Sequence, residues 1–196
     1  MKITTDIDID LADKSQILQI IDHIPASVRN VVPHRKHPSG IYPTLIPYDP
    51  IQDMSTLHYE EAEERGYFKL DMLNVYVYAL IKNEEHLISL MNKPPNWNRL
   101  NDREFVEQLV HLNNQYIWIH HMAEPVNSIE TLMLFLAVIR PAKRHLIGLP
   151  WKEIEKTVWD RNTDGYVFRR CHACAYSHLV VTHMNLLEEL ENEVTK

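Results

Sequence analysis

Two stretches in the first half of the chain alternate between apolar and polar residues, the pattern of a β-strand with one buried face. In residues 2–11, the isoleucines alternate with Asp6, Asp8 and Asp10. In residues 66–73, Lys69 and Asp71 fall on one side, while apolar residues fall on the other. The pattern predicts two strands whose polar sides carry carboxylates.

Helical spacing and capping residues follow these stretches. We predict a helix that Asp13 caps and Pro25 closes. Further helices are predicted at 76–91, 103–112, 129–139, 151–160 and 172–193. The fold class is therefore α+β, with a mixed α/β portion at 1–95 and an all-helical portion at 96–196.

Composition and charge narrow the function classes. The net charge is -7, which counts against a stand-alone, high-affinity nucleic-acid binder because phosphate contacts dominate such affinity. With 4 glycines the chain has no Gly-rich phosphate loop. No apolar run approaches the roughly 20 residues that span a bilayer. We expect a protein without a membrane segment or signal sequence, and free cysteines in a reducing cytoplasm.

The aspartates of the first strand invite a chemical interpretation. Asp6, Asp8 and Asp10 would lie roughly 6.6–7 Å apart on one strand face. Such a row is either a solvated face or a Mg²⁺ site, because hard cations take carboxylate oxygens. Asp71 favours the metal site, since a lone carboxylate between apolar neighbours is costly to bury. Lys69 contacts a phosphate, limits the repulsion among the carboxylates, or is a surface lysine.

Five segments resemble the C-family DNA polymerases, the family of the bacterial DNA polymerase III alpha subunit, in the family's order. They are TDIDIDL at 5–11, RKHPSGIYPT at 35–44, GYFKLDML at 66–73, SIETLMLFLAVIRPAKRHLIG at 128–148 and YVFRRCHACAYSHLVVTHMNLL at 166–187. The resemblance implies part of a polymerase-beta-like palm sheet with a helical fingers-like lobe.

The resemblance also implies roles for individual residues. Asp6, Asp8 and Asp71 match the family's catalytic aspartates, which bind Mg²⁺ or Mn²⁺. The nucleotide-binding positions of the family match another set of residues in this chain. These are Lys69, Arg140, Arg170, His172 and Tyr176. Two-metal phosphoryl transfer on a nucleotide triphosphate, with DNA as a further partner, is the implied activity.

Departures from the family pattern keep other functions open. Only five residues precede Asp6, so we expect the family's phosphate-binding Gly-Ser segment to be absent. The family's R-P-G-P is replaced by Arg140-Pro141-Ala142-Lys143. The chain could therefore be a non-catalytic module that binds nucleotide, nucleic acid or a replication protein. It could also be one piece of a polymerase that a second subunit completes.

A zinc site is the weaker interpretation of the cysteines. Cys171, His172 and Cys174 supply potential ligands, but two cysteines three apart need a second ligand pair. In the polymerase resemblance, both cysteines occupy small-residue positions instead.

Overall fold

The protein forms two compact units, Met1–Ile81 and Lys82–Lys196. The structure, a computed structural model, describes residues 6–160 and 168–194. A small sheet with short helices makes up the first unit and helices make up the second, so the α+β class is confirmed. The boundary lies before residue 95 because the helix at 84–92 packs on the last helix of the chain.

The first unit is organised by a four-stranded sheet. Its strands are β1 (Asp6–Leu11), β2 (Ile24–Val28), β3 (Arg35–Tyr42) and, after the short hairpin β4 (Tyr48–Asp49) and β5 (Met54–Ser55), β6 (Lys69–Asn74). The strand order is β1-β6-β3-β2. The pair β1–β6 is parallel, and β6–β3 and β3–β2 are antiparallel. The two carboxylate-bearing strands are therefore neighbours.

The first helix, α1 (Lys14–Leu18), begins at the predicted cap, where Asp13 accepts from the Ser15 N–H at 2.9 Å. The expectation that Pro25 closes this helix is wrong. Pro25 lies inside β2, opposite Ile41 of β3. An edge strand tolerates proline because the backbone N–H groups on its outer side pair with no neighbouring strand. Pairing with β3 buries the neighbouring Ala26 completely.

The remaining helical parts of the first unit are short. The helix α2 (Tyr59–Glu64) precedes β6. The predicted helix 76–91 is interrupted, because Tyr76–Leu80 forms a 3₁₀ helix and the next α-helix starts only at Glu84. Asn83 caps that start by accepting from the His86 N–H, so capping rather than apolar spacing sets the boundary.

The second unit is a set of helices around one apolar core. They are α3 (Glu84–Asn92), α4 (Arg103–Gln108), α5 (Tyr116–His120), α6 (Ile129–Val138), α7 (Trp151–Thr157) and α8 (Arg170–Val194). The helices α6 and α8 pack together, burying Leu132, Phe135 and Met184. Asp102 caps the start of α4, and Ser128 caps the start of α6.

The helix α4 is shorter than its apolar spacing predicts. It ends at Gln108 rather than Leu112. His111 has a positive φ of 61°, a left-handed conformation that no helix can continue through. Among the described residues, no helix is long and apolar enough to cross a membrane.

Candidate carboxylate and arginine sites

The parallel pair β1–β6 places Asp8 directly opposite Asp71. Neighbouring strands lie about 4.8 Å apart, and residues paired in register project from the same side of the sheet. The Asp8 side chain is exposed, whereas Asp71 is only 7% exposed. Asp6 pairs with Lys69 in the same register, and its side chain lies outside the described part. One sheet face therefore carries carboxylates from two strands.

Asp71 is held by one contact at each carboxylate oxygen. Ser39 Oγ donates to Oδ1 at 2.7 Å, and Lys69 Nζ donates to Oδ2 at 2.5 Å. Lys69 is itself only 7% exposed, so the two charges form a buried ion pair. Removing either partner would leave an uncompensated buried charge.

His37 lies beside this pair as a neutral ring. Its Nδ1 accepts the Gly40 N–H at 2.9 Å, so that nitrogen carries no proton. Burial, and next the ammonium of Lys69, lowers the pKa of His37. Its approach to Asp71 Oδ1, 3.6 Å from Nδ1, is therefore not an ion pair.

Gly40 allows these groups to lie close together. It sits opposite Asp71 in the antiparallel pair β3–β6. A Cβ at this position would come within 2.9 Å of His37 Nδ1 and 3.0 Å of Lys69 Cδ. A side chain there would displace the imidazole or the lysine stem. Gly40 is the last residue of the H-P-S-G segment at 37–40.

Two tyrosines complete the surroundings. The ring of Tyr59 lies 5.0 Å from the His37 ring and 5.6 Å from Lys69 Nζ. Tyr42 is 1% exposed, and burial, with the charge of Asp71, raises its pKa to about 12. Its hydroxyl is therefore protonated at neutral pH. The alternating pattern gave no indication of either tyrosine, nor of a role for Ser39.

Asp10 completes the acidic side of β1. Partial burial, and next the charge of Asp8, raises its pKa. Repulsion between like charges two residues apart on one strand face has this effect. In the register, Asp10 faces Leu73 rather than another carboxylate. Asp8 is thus the β1 position that pairs with an acidic residue of β6.

The residues present provide part of a divalent-metal site. Asp8 and Asp71 are hard oxygen donors of the kind that Mg²⁺ prefers. Within residues 6–160 and 168–194, however, no three His, Cys, Asp or Glu side chains are arranged to hold a metal ion. Lys69 also occupies Asp71 Oδ2. A cation at this pair would have to share Asp71 with the lysine ammonium or displace it.

In the second unit, the predicted nucleotide-binding residues meet around one ring. The guanidinium carbon of Arg140 lies 4.3 Å from the centre of the Phe168 ring. His172 and Tyr176 lie along α8, with ring centres 6.3 Å and 5.9 Å from that of Phe168. We call these four residues the arginine–ring cluster. Arg170, by contrast, is exposed on the first turn of α8.

Arg140 has no carboxylate partner within the described part of the chain. Its Nε is buried and makes no hydrogen bond. A partly desolvated guanidinium without a counter-ion is well suited to an anion, with which it forms charge-assisted hydrogen bonds. This is the clearest anion-binding feature among the described residues of the second unit.

His111 belongs to the same region, although the sequence did not single it out. Its ring stacks on Tyr176 with ring centres 4.1 Å apart and an interplanar angle of 24°. Burial, with the nearby charge of Arg140, lowers the pKa of His111 to about 4. The ring is therefore neutral at pH 7. A local pattern could not reveal it, because the contact joins the end of α4 to α8.

Comparison with known proteins adds no relative. No family model, no curated protein and no solved structure matches this chain. The function has to be argued from the two sites themselves.

Proposed function

We propose that this protein is a metal-dependent nucleotidyltransferase-like protein, related to the DNA polymerase III alpha subunit, that acts on nucleotides or nucleic acid. The observation that carries the proposal is the parallel register that puts Asp8 opposite Asp71. Two-metal phosphoryl transfer needs carboxylates from separate chain segments at one point. Free cysteines are consistent with a cytoplasmic location.

The positions of the resembling segments support the proposal. The segments at 5–11, 35–44 and 66–73 contain β1, β3 and β6, three adjacent strands. The segments at 128–148 and 166–187 contain α6 and most of α8, and these two helices pack on each other. Chain segments that are far apart in sequence thus form one group in each unit. Such grouping is expected if each group keeps a common site.

In this proposal the carboxylates of the first unit bind the cation. Asp8 and Asp71, with Asp6 at the adjoining register position, would hold Mg²⁺ or Mn²⁺, which supplies activation of a hydroxyl and charge neutralisation when bound. Ser39 fixes the orientation of Asp71 by donating to one oxygen. Lys69 limits repulsion among the carboxylates, and its ammonium can move to donate a hydrogen bond to a phosphate oxygen.

The arginine–ring cluster of the second unit binds the triphosphate in this proposal. Arg140 and the exposed Arg170 provide positive charge for phosphate oxygens. Tyr176 and His172 hold the ring of Phe168, on which Arg140 rests. The cluster thereby fixes the direction of the guanidinium, which reduces the entropy lost when an anion binds.

A specific observation favours a second function. Asp71 is fully satisfied by Lys69 and Ser39 without a metal. A non-catalytic module that binds nucleotide, nucleic acid or a replication protein would need only Arg140 and its surroundings. A second polymerase subunit that displaces Lys69 from Asp71 would restore catalysis.

Nucleotide turnover tests the catalytic proposal. The full chain is incubated with a primed template, deoxynucleotides and Mg²⁺ or Mn²⁺, and product and released pyrophosphate are measured. We expect turnover that Asp8→Asn reduces at least about a hundredfold, because a metal ligand is lost. Asp10→Asn removes the same charge from the same strand and should reduce turnover less than about threefold.

The outcome also separates the two functions. Nucleotide binding without turnover favours the binding module. In that case Arg140→Gln should weaken binding about tenfold, whereas Arg144→Gln, in the 3₁₀ segment (Pro141–Leu146) that follows Arg140, should not. Absence of both turnover and nucleotide binding, with and without added polymerase subunits, contradicts both functions.

A further inference from the structure

The two cysteines of the chain lie near the start of its longest described helix, Cys171 on the first turn and Cys174 directly after it. Cys171 is exposed and Cys174 is partly exposed, near the start of α8 (Arg170–Val194). The first intrahelical bond found there is donated by the Ala173 N–H to the Arg169 carbonyl at 3.1 Å. Cys171 precedes that donor, so its own N–H lies in the turn that lacks intrahelical acceptors.

The spacing of the two thiols suits a disulfide only after a local shift. Residues three apart in an α-helix have Cα atoms about 5 Å apart, within the roughly 4.4–6.8 Å that disulfides span. Their Cβ atoms, however, lie about 5–6 Å apart, beyond the roughly 3.5–4.5 Å that a disulfide needs. The first turn can supply that shift because it has fewer backbone bonds to break.

A disulfide that needs such a shift is strained and readily reduced. Strained, exposed disulfides have more oxidising potentials and serve as labile or regulatory bonds rather than structural ones. The unequal exposure of the thiols assigns them different roles. Exposed Cys171 is the thiol that a small disulfide reaches first, and Cys174 is the thiol that resolves the intermediate.

The charges around Cys171 favour a particular class of oxidant. Arg169 and Arg170 precede it, and both are exposed. Within the first turn of α8, 170–173, there is no acidic residue. Positive charges at an exposed site attract anionic reactants and raise their encounter rate. An anionic low-molecular-weight disulfide therefore fits this site better than a neutral or cationic one.

We propose that Cys171 and Cys174 form a reversible thiol–disulfide exchange site for anionic low-molecular-weight disulfides. The Cys171 thiolate attacks one sulfur of the small disulfide, forms a mixed disulfide and releases one thiolate. The Cys174 thiolate then attacks the Cys171 sulfur and releases the second. The chain loses two electrons and two protons, and the small disulfide is reduced to two thiols.

Oxidation would also change the arginine–ring cluster. His172 lies between the two cysteines and its ring contacts Phe168. Closing the disulfide shifts the turn that carries His172. The inference itself needs no nucleotide chemistry, and it stands whether or not the proposed function does.

Mass spectrometry of the full chain, treated with oxidised glutathione as the probe, tests this site. We expect the wild type to lose two hydrogens without retaining glutathione. Cys174→Ser should retain one glutathione, mapped to Cys171, because the resolving thiol is gone. Cys171→Ser should react at least about tenfold more slowly, since only the partly exposed thiol remains.

The reaction rates of an arginine variant with an anionic and a neutral disulfide test the role of charge. Arg170→Gln should slow the reaction with oxidised glutathione about threefold at low salt, but not the reaction with the neutral 2-hydroxyethyl disulfide. Persistent glutathione adducts on the wild type, with no intramolecular disulfide, would overturn the proposal. So would equal reaction rates of the two single serine variants.

Discussion

The two units hold their buried polar groups in different ways. In the first unit, Asp71 is met by an opposite charge from Lys69 and a hydroxyl from Ser39. In the second unit, Arg140 lies against the ring of Phe168 and has no carboxylate partner in the described residues. The buried charge of Asp71 is thus neutralised within the protein, whereas Arg140, which is partly buried, is only packed.

Because of this difference, a ligand of the first unit has to displace a protein group, whereas a ligand of the second unit does not. The carboxylate of the first unit is already satisfied, so a metal ion must compete with Lys69 for it. The guanidinium of the second unit has lost water without gaining a counter-ion, so an anion binds without displacing anything. We therefore expect anion binding by the second unit to need less rearrangement than cation binding by the first.

Breaking the ion pair of the first unit should have the largest effect. Lys69→Met leaves Asp71 buried without its cation and should lower the free energy of unfolding by about 3 kcal/mol. Lys36→Met is the matched control. It removes the exposed ion pair with Asp53, at 2.6 Å, and should cost far less than Lys69→Met because solvent screens an exposed pair. Hydrogen exchange of the β3 and β6 amides measures both effects.

The same variants test whether a cation can replace the ammonium. Mn²⁺ should restore part of the stability lost in Lys69→Met, and none in Lys36→Met. Equal costs for the two substitutions would mean that the Lys69–Asp71 pair is not buried in solution.

Acid should weaken the second unit next. The pKa values of His111 and His183 are lowered from 6.5 to about 4, mainly by burial. Well above pH 6.5 the two histidines are neutral in both the folded and the unfolded chain. As the pH falls from 6.5 toward 4, they take up protons only in the unfolded chain. Stability should therefore fall by a little under about 3 kcal/mol between pH 7.5 and 5.5 for the two histidines together.

Tryptophan fluorescence during denaturation measures this loss. All four tryptophans of the chain lie in the second unit, at 97, 118, 151 and 159. His111→Phe keeps a ring against Tyr176 and removes one titrating group, so about half of the loss should remain. An unchanged loss in this variant would show that His111 titrates normally in the folded chain.

Helix capping should give the smallest effects, again unequal between the units. Ser128 and Thr131 form a capping box at the start of α6, whose side chains fill the core. Ser128→Ala should cost about 1 kcal/mol. Asp13→Ala should cost less than Ser128→Ala, because α1 has five residues and buries none of them. Urea denaturation compares the two, and a larger cost at Asp13 would contradict this order.

Strand positions were predictable where a single pattern decides them. The alternation in residues 2–11 and 66–73 predicts β1 and β6, and the acidic positions in each suggest that they are neighbours. The prediction that Pro25 ends a helix was wrong because pairing with β3, which is remote in sequence, overrides the local preference of Pro25. Alternation along the sequence predicts that a segment forms a strand, whereas pairing with a strand remote in sequence decides where the segment ends.

The site was predictable only in outline. Asp8 and Asp71 follow from alternation, but their surroundings do not. Ser39 reaches Asp71 across 32 positions of sequence, and no spacing rule connects them. The position of the His111 ring depends on a left-handed backbone conformation in the segment after Gln108, where α4 ends, and a histidine within an apolar run does not indicate that conformation.

The most direct test of the account is Mn²⁺ binding, followed by electron paramagnetic resonance of the free ion. The account predicts that the wild type binds Mn²⁺ and that Asp8→Asn weakens binding at least about tenfold, or about 1.4 kcal/mol. Asp10→Asn should weaken it less than about threefold, because Asp10 faces Leu73. Equal weakening by both substitutions, or no Mn²⁺ binding by the wild type, would contradict a cation site between Asp8 and Asp71.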